Sequence, residues 1–86
     1  MVNQRMEKYF KELHDAEFPK DAHDNELETN HKQMIKLLKR AYNWKSLENV
    51  QDVVEYLGYD TDSRYETLDG CKEIINMCIE YHKELI

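Results

Sequence analysis

The chain has 86 residues, 41% hydrophobic and 35% charged, with a formal net charge of −6. That length suits one domain with a small core. No run is apolar enough for a membrane span or a secretory leader, because the opening MVNQRMEKYFKELHD is interrupted by charge throughout. Two cysteines are too few for a secreted disulfide framework, so the expected setting is the cytoplasm and the expected layout a single helical domain over residues 1–86.

Charge is unevenly spread. Residues 1–45 carry 9 Lys/Arg against 8 Asp/Glu, whereas residues 46–86 carry 3 against 10, a net −7. The stretch KQMIKLLKRAYNWK, Lys32 to Lys45, has five basic groups and no acid. The two halves thus offer electrostatically different surfaces, either to each other or to partners.

Residues 3–15 read as a first helix, with Met6, Tyr9, Phe10 and Leu13 spaced to share one buried face. Phe18 and Pro19 break it, and FPKDAHDNE reads as a loop whose Asp24 or Asn25 caps the next helix. That second helix runs to Tyr42 or Asn43 on an inner stripe of Leu27, His31, Met34, Leu38, Ala41 and Tyr42, with Leu37 and Ile35 at its edges. Ser46 caps a third helix over residues 47–57, in which Leu47, Val50, Val53 or Val54, and Leu57 recur at helical spacing. Gly58 supplies a left-handed cap at its end.

YDTDSRYETLDG fails as a calcium loop. After Asp60 and Asp62, the positions that need Asp/Asn, Gly and Glu hold Arg64, Tyr65 and Cys71. Ser63 and Glu66 instead have the spacing of a capping box for the last helix, leaving Gly70 as an interior glycine or a close helix contact.

The last helix carries Cys71, Cys78 and His82. At about 100° per residue, Cys78 falls about −20° and His82 about +20° from Cys71, amid Leu68, Ile74, Ile75 and Leu85. The cysteines therefore sit within an apolar stripe and read as core. Seven residues of helix separate them by about 10.5 Å, which excludes a bridge between them. Cys78 and His82, one turn apart, have the spacing to share a metal, but further ligands would have to come from His14, His23, His31 or a carboxylate, so no metal site is assigned and a metal-binding helical protein stands as an alternative reading.

The expected fold is all-α, a small antiparallel four-helix bundle; the alternative is a three-helix core with an irregularly docked N-terminal helix. No nucleotide loop, serine elbow, H-E-x-x-H or C-x-x-C motif occurs, so neither enzymatic activity nor a cofactor is expected. The leading functional expectation is an acidic protein-interaction module, a self-associating regulator or inhibitor with a basic partner. Its interaction candidates are Trp44, Tyr59, Glu48, Asp52, Glu55, Asp60 and Asp62. The alternative of weak nucleic-acid binding rests on a ridge of Lys32, Lys36, Lys39, Arg40 and Lys45, and is opposed by the acidic helix that follows. A homodimer is expected to bury surplus apolar groups, drawn from Val2, Met6, Phe10, Leu27, Ile35, Leu37, Met77 and Ile86.

Overall fold

Four apolar helix faces close on one another in the computed structural model, which describes residues 4–17 and 30–86. The elements are α1 (Gln4–Glu17), α2 (His31–Tyr42), α3 (Leu47–Tyr56), a 3-10 turn (Ser63–Glu66) and α4 (Leu68–Glu84). Among the described residues there is no strand. The arrangement is an all-α, compact four-helix bundle.

In α1, Met6, Tyr9, Leu13 and Ala16 recur every three or four residues and all are buried. Tyr9 is the largest of them. A buried phenol needs a hydrogen-bond partner, and its hydroxyl donates to the Leu37 carbonyl at 2.8 Å. Burial pushes its ionisation far above the ordinary tyrosine range. The first helix is thus a full wall of the core rather than an irregular appendage.

Asn30 is the N-cap of α2, its side chain accepting from the Gln33 amide at 3.2 Å. The same residue's N–H donates at 2.8 Å to the Ala16 carbonyl, one of the carbonyls left without a partner at the end of α1. The expected caps Asp24 and Asn25, together with Val2, Pro19 and Leu27, lie outside the described residues. Met34, Leu37, Leu38 and Ala41 form the buried face. Its centre lies toward Leu37, so Tyr42, about 90° away, is 41% exposed instead of lying in the inner stripe. The rotation follows from α2 having partners on two sides, α1 and α4. Leu37 and Met6 are therefore core residues and not surplus for a dimer.

Ser46 caps α3 through the Asn49 amide at 3.4 Å, and Val50, Val53 and Val54 are all fully buried. Leu47 is exposed, standing in the first turn before the neighbouring helices cover it. Gly58, at φ +89°, takes the left-handed conformation in which the Tyr59 amide returns to the Val54 carbonyl at 3.1 Å.

The start of α4 differs from the expected capping box. Asp62 caps the one-turn 3-10 segment by accepting from the Arg64 amide at 2.9 Å. Thr67, with extended backbone, then caps α4 by accepting from Gly70 at 3.0 Å. Ser63 and Glu66 belong to the 3-10 turn because two separate caps divide the segment. The turn lies directly on α4, and a Cβ built at Gly70 would overlap the Arg64 carbonyl oxygen and stand 2.8 Å from its Cα. The Tyr65 carbonyl receives both Gln51 Nε2 at 2.9 Å and the Cys71 thiol at 3.1 Å, joining α3, the turn and α4.

α2 runs antiparallel to α4: His31 at its start meets His82 near the end of α4, and Tyr42 at its end lies 5.7 Å from the Lys72 ammonium. α1 runs antiparallel to α2, with Ala16 beside Asn30 and Tyr9 beside Trp44. α3 finishes at the end of the bundle where α1 and α4 also finish, since Tyr56 meets Glu17 while Leu57 shares a cavity with Met77 and His82.

Replacing Gly70 with alanine tests the closeness of the turn. Helix propensity alone would favour Gly70→Ala by up to about 1 kcal/mol, whereas overpacking against backbone costs about 1–3 kcal/mol. The expected outcome is a lower denaturant midpoint in equilibrium unfolding. A raised midpoint would refute the tight contact.

Candidate functional site

Two histidines from opposite chain regions meet across α2 and α4. The Nδ1 atoms of His31 and His82 are 2.8 Å apart, with ring centroids at 5.0 Å. In that contact one Nδ1 carries a proton and the other presents its lone pair. His31 is the first residue of α2, held in place because Asn30 is tied to Ala16 of α1. His82 lies in the last turn of α4, with Tyr81 against its ring at 5.3 Å. Both histidines are half-buried. Burial, and next the neighbouring His31, hold His82 below the ordinary histidine range, opposed by the negative charge of Glu17.

The pair stands on the wall of a cavity of about 460 Å³. Glu17 enters it from α1, Met34 from α2, Leu57 and Tyr59 from the end of α3, and Met77, Cys78 and Tyr81 from α4. Glu17 accepts from the Tyr56 hydroxyl at 2.9 Å; burial and this carboxylate push that phenol up to about 12. The three potential ligands of α4 are divided. Cys78 and His82 share the cavity, while Cys71 turns its thiol to the Tyr65 carbonyl. Burial raises the pKa of both thiols, an environment opposite to that of a nucleophilic cysteine. Among the described residues no group of three His, Cys, Asp or Glu side chains stands together as a formed metal cluster.

Of the interaction candidates read from the sequence, Trp44 and Tyr59 lie at opposite ends of α2, which spans about 18 Å. Trp44 is half-buried against Tyr9, ring centroids 4.8 Å apart, and closes the core at one end. Tyr59 is exposed and lines the histidine cavity at the other. Glu48, Glu55 and Asp60 are exposed and Asp52 partly so. Asp62 is engaged by Arg64 at 2.8 and 3.0 Å as well as by its backbone. On the basic side, Lys32, Lys36, Lys39 and Lys45 are exposed, while Arg40 sits 3.3 Å from Glu12 and over the Tyr9 ring.

Sequence reasoning missed Tyr81, which is 60% exposed, and did not join it to its neighbours. The available signal was spacing: Ile74, Met77, Tyr81 and Leu85 fall at i, i+3, i+7 and i+11 on one helix face. Ile74 is buried, but Met77 and Leu85 are 38% and 49% exposed. α4 has 17 residues and α3 only 10, so the face outruns its cover. No helix among the described residues is long and apolar enough to cross a membrane. Comparison with family models, with curated proteins and with solved structures found no match.

The Arg64 guanidinium bonded to Asp62 holds that carboxyl down at about 2, against an ordinary 3.8. A depressed carboxylate contributes stability above its unfolded pKa and loses it as pH falls through the folded one. Between about pH 4 and pH 2, stability should therefore decline, and Asp62→Asn should flatten that part of the curve. Thermal melts of both proteins across that range provide the check.

Proposed function

We propose that this protein is a small acidic interaction module that receives a basic, amphipathic segment of a partner protein along α4, and so acts as a regulator or inhibitor. The observation that carries the reading is the row Met77, Tyr81 and Leu85, exposed at successive turns and continuous with Tyr59 and the cavity mouth. Single exposed hydrophobes are ordinary, but a row at helical spacing running into a cavity has the form of a docking groove. Tyrosine and methionine suit it: one offers broad apolar area with a polar tip, the other an adaptable thioether.

Charge selects the occupant. On a helix, Glu84 and Glu80 fall about 20° and 60° to the solvent side of Met77, and both are exposed. Asp60 is exposed beside Tyr59, and the one nearby α4 cation, Lys83, lies 3.3 Å from Glu80. A second copy would bring the same carboxylates against their own kind, so a basic partner is favoured over a homodimer at this face. Two unpaired cysteines suit a cytoplasmic setting.

The test uses fluorescent amphipathic peptides rich in Lys and Arg with Leu or Phe anchors, and acidic peptides of the same apolar pattern as controls. Basic peptides should bind, more weakly as salt rises, and Tyr81→Ser with Met77→Ser should cost at least about tenfold in affinity. No affinity for basic peptides, or affinity untouched by those substitutions, would overturn the reading. Sedimentation should give the monomer mass; a doubled mass that reverts in the Tyr81→Ser, Met77→Ser variant would assign the groove to a second copy instead.

A further inference from the structure

The His31–His82 contact joins two elements that are distant in sequence, and its geometry is that of two donors converging on one point. Imidazole nitrogens bind zinc at about 2.0–2.1 Å, so two of them on a tetrahedral ion stand about 3.3 Å apart. The observed 2.8 Å separation is shorter by about half an ångström, a gap that small ring rotations of two half-buried side chains would open. We infer that His31 and His82 form a two-histidine chelate for a divalent transition-metal ion of the zinc class, clamping the start of α2 to the end of α4.

Both donor rings must be neutral and present Nδ1 lone pairs. The ring that carries its proton on Nδ1 releases it to solvent and takes one up at Nε2, so the tautomer changes with no net change in protonation. The metal then occupies the position between the rings where the hydrogen-bond proton lay. Imidazole suits zinc, copper and nickel and disfavours magnesium and calcium, which take oxygen ligands.

The cavity provides for the remaining positions. Among the described residues no third His, Cys, Asp or Glu already stands in a cluster with the pair, so the two histidines alone are assigned as ligands. Glu17 lines the same cavity and contributes a negative charge that offsets the cation. Cys78, one turn before His82, lines the same wall and is assigned no coordinating role, the contact between the two imidazoles being the observed one. The inference is independent of peptide docking, since it concerns the isolated chain and the metal alone.

Calorimetric titration of the full chain with Zn2+ should give one saturable site per chain and a raised melting temperature. His31→Ala and His82→Ala should each weaken binding by at least about tenfold. His82→Gln, which keeps a hydrogen-bonding side chain toward His31, serves as the folded control and should also lose the site. His14→Ala should leave it unchanged. Circular dichroism of each variant verifies folding. Absence of saturable binding to the wild type, or binding that survives His82→Gln, would overturn the inference and leave the two histidines as a hydrogen-bonded pair only.

Discussion

α2 and α4 share the most extensive helix–helix contact, and their antiparallel pairing determines where the other parts stand. Met34, Leu37, Leu38 and Ala41 on one helix and Cys71, Ile74, Ile75, Cys78 and Ile79 on the other are all buried. Removing such side chains costs about 2–5 kcal/mol each for a leucine or isoleucine cut to alanine. In a chain this short, that is a large share of the total stability. α1 leans mainly on α2 and α3 mainly on α4, so both outer helices take their places from the central pair.

Apart from the buried Tyr9 hydroxyl, polar side chains lie at the boundary of this core. No polar or charged residue is buried among the described ones, and no buried side-chain polar atom there lacks a partner. Polar links instead lock elements together: Tyr9 to Leu37 at mid-helix, Asn30 to Ala16 at the helix ends, and Gln51 and Cys71 to the Tyr65 carbonyl. Each satisfies a group whose isolation would cost about 1–3 kcal/mol. The exposed Arg40–Glu12 pair is of a different kind, since ion pairs in water contribute little.

Among the described residues, the same geometry that completes the core leaves one face open. α3 is short, and the chain after it is spent on the Gly58 turn and the 3-10 segment packed at Gly70, near the start of α4. Among the described residues, the far half of α4 keeps its apolar periodicity with no helix covering Met77, Tyr81 and Leu85. The histidine pair borders that uncovered half, so the cavity, the open stripe and the flanking carboxylates occur together at one end of the bundle.

The sequence by itself determined the helices, because periodic burial and caps are local. The stripe Met6, Tyr9, Leu13, the Ser46 cap, Val50 with one of Val53 and Val54, and the left-handed Gly58 were all legible from residue type and spacing. So was the apolar setting of Cys71 and Cys78. What it could not determine were rotations and encounters. Whether Leu37 or Tyr42 lies inside depends on α2 having two partners, and whether Ser63 or Thr67 caps α4 depends on the turn packing at Gly70. His31 and His82 are 51 residues apart in the chain. Their meeting is a property of the antiparallel α2–α4 pairing, because no local interaction along the chain carries information about which helix ends face each other.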